Sequence, residues 1–423
     1  LWLAVFLSAL IFNLAFSCPD TFGILILLAP VPLLCRRSEI FFRYGFVWGL
    51  LVFGFHFHWL YQVMYQHSQA PWWLCGIVFV LVFTYFSVTS GLWFWLMQWS
   101  LGIGTRYCAR ISFALSLSKG ANGLLTIAYW WVMERWILCP VGLGIGYPFI
   151  NPGIPLVSYP FFLKIVTFVF SCGGLLYQPI INEPNVAMRY VAPVVNRVKN
   201  TTAPWRHDPV GVGQQMYREL VEVEDRSARI LRQAQDERPP LLFLAPESMF
   251  PFVLNKYPDL VKLWTTALPD NGHLLLGSVF QHDGKYYQAV FWLRAGLIIK
   301  VYVKKLLTPF VEKIPDVWKN SKDIKDVFLH NAIEFTDDDD AGTAGFFDIT
   351  PGVRIIPRIC LEFFFSRRAD FEPYVTSDKQ PMIIHFANDS WFNGFFRKIL
   401  VYRARLKQAE LGIPVVWVGH YEM

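Results

Sequence analysis

Three polar residues of complementary type each close an apolar run of this sequence. Leu241-Leu-Phe-Leu-Ala-Pro leads into Glu247, an Ile-Ile-Lys-Val-Tyr-Val run breaks at Lys304, and Val353-Arg-Ile-Ile-Pro-Arg-Ile leads into Cys360. Short apolar, β-branched runs of this kind read as buried strands, so each delivers one functional group to a strand end. Their order and near-equal intervals suggest a Glu-Lys-Cys catalytic set. A thiol with a free pKa near ~8.5 is mostly protonated at neutral pH, so a base must take its proton; Glu247 can do so. Attack on an acyl carbonyl then creates an oxyanion, and Lys304 offers it a fixed positive charge beside the backbone N–H of Leu361. The result is a thioester on Cys360. Taken singly, the same residues read as a solvated strand-end carboxylate, a surface lysine and a buried strand cysteine.

The surrounding motifs are more specific. Pro246-Glu247-Ser248, Tyr302-Val-Lys304 with Pro309-Phe-Val-Glu312, Ile359-Cys360-Leu-Glu362 and Asn388-Asp-Ser-Trp391-Phe follow one another along the chain. In this order they resemble the motifs of the nitrilase superfamily. The Pro-Phe-x-Glu segment and the hydrophobic N-terminal half resemble its membrane-embedded branch, the apolipoprotein N-acyltransferases. The resemblance implies an α-β-β-α sandwich with Glu247, Lys304 and Cys360 as catalytic residues. It selects Lys304 over Lys305 by the spacing to Glu312. It further implies supporting roles for Glu312, Glu362, Leu361 and Asn388, and substrate-site positions at Trp391 and, as a weaker match, Trp205. The apolar residues beside the motifs, Met249 and Phe250 among them, read as a water-excluding acyl pocket or as ordinary sandwich core. Glu362 can instead be paired with Arg354, Arg358, Arg367 or Arg368. Three departures from the family pattern stand out: Leu361 replaces a tyrosine, Val311 replaces a glycine that adopts φ > 0 easily, and the sequence stops soon after Pro414-Val-Val-Trp-Val-Gly-His, which reads as a shortened C-terminus.

The elements that must position these residues differ between the two halves. Charged residues are only 17% of the chain and aromatic residues equally 17%, an imbalance unusual for a soluble protein. No Asp, Glu, Lys or Arg lies between Tyr44 and Thr105, a window long enough for two spanning helices of about 20 residues. Residues 1–182 therefore read as a multi-span α-helical membrane domain, with candidate spans at 1–16, 21–34, 46–64, 72–101, 124–139 and, with an uncertain course, 154–181. The segment 1–16 lacks a basic n-region and a small-residue cleavage site, so it reads as a span and not as a removable signal. Arg36, Arg37 and Arg43, then Arg106, Arg110 and Lys119, cluster in two loops, the positive-inside pattern. Residues 183–204 read as the joint to a polar α/β domain at 183–423. There, strand-like runs end at Glu247, Ser278, Lys304, Cys360 and Asn388, with helical stretches such as 213–235 and 396–411 between them. Parallel strands alternating with helices, as two covered sheets, are the expected arrangement.

Other classes are disfavoured. The net charge of +6 is concentrated in the apolar half, so a nucleic-acid partner is not expected. Neither His-Glu-x-x-His nor paired Cys-x-x-Cys occurs, so no metal site is expected, and no cofactor. Asp337 to Asp340 reads as a solvated loop. Of seven cysteines, six lie in or beside the candidate spans and only Cys360 belongs to the polar domain. The family resemblance implies a phospholipid acyl donor, an apolipoprotein acceptor, membrane lipids as surroundings, and a multi-pass protein of the bacterial inner membrane with its catalytic domain on the extracytoplasmic side. Alternatives are a membrane-tethered amidase or nitrilase acting on a small C–N substrate, and an inactive remnant.

Overall fold

The computed structural model describes residues 2–17, 19–22, 25, 28–29, 42–67, 71–108, 187–190, 208–231, 241–308, 312–314, 320, 334–336, 344–350, 352–366, 370–376, 378–392 and 394–420. The chain divides into two compact units, Leu1–Val169 with Phe392–Leu406, and Phe170–Trp391 with Lys407–Met423.

In the first unit the described N-terminal part is helical: Trp2–Ser17, a short turn at Pro19–Phe22, Phe42–His67 and Trp72–Cys108. The last two run against each other closely enough that a Cβ at Gly45 would lie 2.6 Å from the Phe94 side chain. Trp48 joins all three long helices, donating to Ser8 Oγ at 3.0 Å and packing on Phe12 and Phe94. Among the described residues one helical stretch, Trp72–Leu92, is long and apolar enough to cross a membrane, with mean hydropathy 1.9. The helix Trp2–Ser17 is apolar but has 16 residues, short of the ~20 that a hydrocarbon core requires. Phe42–His67 is helical where the third span is expected, yet His56, His58, Gln62, Gln66 and His67 dilute its apolar character. The expected spans at 124–139 and 154–181 lie outside the described residues.

The second unit is an α/β assembly of two sheets. The first contains β1 (Ala187–Tyr190), β2 (Leu241–Val253), β3 (Gly272–His282), β4 (Lys285–Arg294) and β5 (Leu297–Val303), in that spatial order. The second contains β6 (Phe347–Thr350), β7 (Val353–Ile359), β8 (Gln380–Phe386) and β9 (Val415–Val418), also in sequence order. β1, β2 and β3 are parallel, as are β7, β8 and β9. The parallel alternation expected from the sequence is corrected at β6–β7, which pair antiparallel, and at β3–β4–β5, which form two antiparallel hairpins. Their two-residue turns, Asp283-Gly284 and Ala295-Gly296, have φ > 0 at both positions, the condition for turns whose twist matches the strands. The stretch 183–204, expected as a joint, contains the edge strand β1.

Alternation along the strands sorts side chains into two cores. Leu242, Leu244, Leu275, Val290, Trp292 and Tyr302 of the first sheet meet Ile355, Ile359, Met382, Ile384 and Phe386 of the second in one buried cluster. On the other face of the first sheet, Phe243, Ala245, Leu274, Leu276 and Phe291 pack under the helices Pro209–Leu231 and Pro258–Thr266. Trp264 fixes those helices to each other by donating to the Gly213 carbonyl at 2.8 Å.

Candidate active site

The candidate residues converge because the ends of β2, β5, β7 and β8 lie together. β2 runs past Glu247, but its ladder to β3 slips between Ala245 and Phe250, and Ser248 turns the chain with φ 55°. Gly277 on β3 makes room for this slip. A Cβ there would stand 2.5 Å from Glu247 Cα, so only glycine lets the two backbones close at this point.

Lys304 follows β5 and is 1% exposed. Its Nζ donates to Glu312 Oε1 at 2.8 Å and to Glu247 Oε1 at 3.3 Å. Each carboxylate is held from a second side: Glu247 Oε2 accepts the backbone N–H of Asn388 at 2.8 Å, and Glu312 Oε2 that of Thr308 at 2.7 Å. Two carboxylates and one ammonium thus share a dry site, where unpaired charge is costly and pairing is obligatory. Burial alone would lower the Lys304 pKa, but Glu247, Glu312 and Cys360 more than reverse this and hold the ammonium protonated. Burial raises the Glu247 carboxyl; Lys304 and the Asn388 N–H oppose that rise, while Glu312 adds to it.

Cys360 ends β7 in a conformation, φ 50° and ψ −123°, that is disfavoured for a residue with a Cβ. Strand β8 holds it on both sides of its Cα. Its N–H donates to the Phe386 carbonyl at 2.7 Å, and its own carbonyl lies 3.0 Å from His385 Nε2. The thiol is partly buried. Burial and the charge of Glu247 push its pKa up, while Lys304 and a bond from the Leu361 N–H work in the opposite direction. The thiol therefore rests protonated, next to a carboxylate and an ammonium.

Glu362 contacts neither the ammonium nor the thiol. Its carboxylate accepts the backbone N–H of Ile359 at 3.1 Å, the N–H of Lys305 at 3.4 Å and the hydroxyl of Tyr302. It clasps the chain immediately beside Cys360 and Lys304. Arg358, 6% exposed, completes this layer by donating to Tyr302 Oη at 3.2 Å and lying over the Phe371 ring at 4.6 Å. Of the arginines considered as partners for Glu362, Arg354 is instead paired with Asp348 at 2.8 Å, and Arg367 and Arg368 lie outside the described residues.

The remaining candidates separate. Asn388 acts through its backbone N–H, and its side-chain oxygen accepts from Ser390 at 2.6 Å. Trp391 stands in the short turn Asp389–Trp391. Trp205 and Val311 lie outside the described residues. Met249 and Phe250, expected at the acyl-binding surface, are core residues 1% and 0% exposed; Phe250 packs on Phe252, Tyr257 and Trp264. The register slip at Ser248 leaves both side chains in the helix-covered core of the first sheet. Sequence reading gave no role to Tyr302, His385 or His420, and offered Arg358 only as one of four partners for Glu362. A lone histidine inside the apolar run of β8 was the available signal, since a polar side chain buried there must find a partner. Among the described residues no group of three or more His, Cys, Asp or Glu side chains could hold a metal ion.

Residues 8–173 match the family described as apolipoprotein N-acyltransferase N-terminal domain. Similar curated proteins include the apolipoprotein N-acyltransferase of Allorhizobium ampelinum, 27% identical over 192 residues, which are 43% of this chain and 34% of that protein. That of Rhizobium meliloti is 24% identical over 245 residues, 55% of this chain and 42% of that protein. The chain thus spans well under half the length of these relatives in each comparison. Among solved structures, a CN-hydrolase superfamily protein from Xanthomonas campestris is similar at 12% identity and TM-score 0.28, covering 55% of this chain and 72% of that one. A likeness at that score is too weak to bear on the site.

Proposed function

We propose that the chain is of the apolipoprotein N-acyltransferase type, a reading its similarity to that family supports, and that it moves a fatty acyl chain from a phospholipid, through a thioester on Cys360, to the N-terminal amine of a diacylglyceryl-cysteine apolipoprotein. The observation that carries this reading is the buried Glu247–Lys304–Glu312 ion cluster whose field acts on the Cys360 thiol.

In this reading Glu247 takes the thiol proton as sulfur attacks the ester carbonyl carbon of the phospholipid, forming the C–S bond. The oxyanion is stabilised by Lys304 and the Leu361 N–H, preorganised donors of a kind worth about 3 kcal/mol each. Collapse breaks the C–O bond, and the departing lysophospholipid oxygen takes the proton from Glu247. The acceptor amine then attacks the thioester, the amide forms, and the thiol leaves with the amine's proton returned through Glu247. Glu312 keeps Lys304 aimed, and Glu362 fixes the backbone on which Lys304 and Cys360 stand. The two sheets and their covering helices correspond in this reading to the α-β-β-α nitrilase fold.

The helical unit serves as a multi-pass anchor in the bacterial inner membrane, with the catalytic domain on the extracytoplasmic side. Exposed Trp72, Trp73, Ile77, Val80 and Leu81 on its longest helix suit a lipid environment. Both lipid-tailed substrates then reach the site by lateral diffusion. Intact mass spectrometry of protein purified from phospholipid membranes tests the proposal. A long-chain acyl adduct should appear, be released by neutral hydroxylamine and be absent from Cys360→Ala. An adduct equally present in that variant would overturn the assignment.

A further inference from the structure

We propose that His385 and His420 are positioning residues, each using an Nε2–H donor to hold the backbone carbonyl of one reacting residue: His385 that of Cys360, and His420 that of Glu247. The two contacts have the same form. His385 Nε2 lies 3.0 Å from the Cys360 carbonyl oxygen and His420 Nε2 2.6 Å from that of Glu247. A carbonyl oxygen only accepts, so in both rings the proton sits on Nε2.

Both contacts fall at a strained turn. Cys360 itself has φ 50°, and Ser248, next to Glu247, has φ 55°. Neither conformation is one that a residue with a Cβ adopts freely, and such outliers persist only where the surroundings over-determine them. The surroundings here do so. The imidazole of His385 is stacked on Phe363 at 4.6 Å and met edge-on by Trp417 at 4.4 Å and by Phe364 at 5.2 Å. Its plane is thereby fixed, and burial holds it neutral by lowering its pKa to about 3. His420 is 3% exposed, and its own N–H is tied to Asp389 Oδ1 at 2.5 Å. The histidines come from adjacent positions in the second sheet, the end of β8 and the residue pair after β9. One sheet edge therefore sets the backbone of both the nucleophile and the base.

This inference rests on the reading of Cys360 and Glu247 as nucleophile and base, and its test separates the two. The full chain in phospholipid membranes is compared with His385→Met, His385→Gln, His420→Met and His420→Gln. Acyl transfer is followed as kcat and KM, and iodoacetamide alkylation at Cys360 is followed by peptide mass spectrometry. A mispositioned reacting group costs on the order of 10²-fold in rate, so both Met variants should lose about that much kcat with KM little changed, and His385→Met should also slow alkylation. The Gln variants keep an N–H donor and should recover most of the loss. Equal losses in Met and Gln variants that melt at the wild-type temperature would overturn the proposal, as would no loss in either. Should a Met variant fail to fold, the 15N shifts of the wild-type rings decide: an Nδ1-protonated His385 or His420 overturns it, an Nε2-protonated pair supports it. If Cys360→Ala keeps its transfer activity, the catalytic reading fails, while alkylation at Cys360 still reports on the His385 contact.

Discussion

Lys304 stands closer to Glu312 than to Glu247, its ammonium 2.8 Å from the first carboxylate and 3.3 Å from the second. Glu312 is thus the anchoring partner, and Glu247 keeps a less committed oxygen for the thiol proton. Replacing the lysine removes the only ammonium that either contact involves. Lys304→Met should therefore destabilise the second unit by roughly 3–5 kcal/mol, the usual result of leaving buried charge uncompensated. Thermal unfolding of the purified protein measures this, and a variant as stable as the wild type would show the site to be wetter than described.

The pH dependence of transfer follows from Glu247. The group must be ionised to act as a base, and burial raises its pKa above the ordinary carboxylate value. Activity should rise with pH through a limb displaced upward from ~4.3, the value of a free glutamate. Glu247→Gln should abolish that limb and lower kcat by about 10² to 10⁴. A kcat profile that keeps the same limb in the variant would assign the titration to another group.

Gly277→Ala tests the close approach of β3 to the base. The added Cβ would stand 2.5 Å from Glu247 Cα and 2.6 Å from the Pro246 carbonyl oxygen, both backbone atoms that cannot rotate away. Overpacking of this kind costs typically ~1–3 kcal/mol. The displaced glutamate should cost activity as well. Unfolding and transfer measured on one preparation would reveal whether the two losses occur together.

Tyr302→Phe removes the hydroxyl that lies between Glu362 and Arg358. A buried guanidinium and a buried carboxylate each lose a partner, for an expected destabilisation of about 1–3 kcal/mol. Since Glu362 also holds the N–H of Ile359, alkylation of Cys360 should become slower. Unchanged alkylation would mean that Glu362 holds the backbone beside Cys360 without the tyrosine.

Orientation across the membrane can be read at the β3–β4 hairpin. Lys285 is exposed there, so Lys285→Cys should react with a membrane-impermeant maleimide in intact spheroplasts if the second unit is extracytoplasmic. Protection until lysis would reverse the proposed orientation.

How far the sequence could reveal the site depends on what each residue ends. Glu247, Lys304 and Cys360 were legible because each closes an apolar run, and a polar group at such a boundary stands where a strand leaves its ladder. The first hairpin was legible in principle: Asp283-Gly284 is a strong turn signal, but the strand-like run had been closed at Ser278. The second was not, because alanine is a poor residue for φ > 0 and Ala295 gives no warning of its conformation. Met249 and Phe250 show a different limit. Sequence adjacency to a catalytic residue does not say to which face of a sheet a side chain turns once the register slips. The supporting layer of Tyr302, Arg358 and Glu362 joins residues distant in sequence, and no local pattern announces it.

The slipped register at Glu247 and the bent backbone at Cys360 have a temporal consequence. Both depend on residues distant in sequence: Gly277, Asn388 and His420 surround the first, and Phe386 and His385 join the local clasp of Glu362 at the second. Contacts of such long range form late, after loop closure has brought both sheets together. Until β8 and the chain after β9 have docked, Cys360 is a cysteine like any other, without base, ammonium or fixed backbone. The nucleophile is armed only by the finished fold: its base, its ammonium and its bent backbone all arrive with the docking of the second sheet.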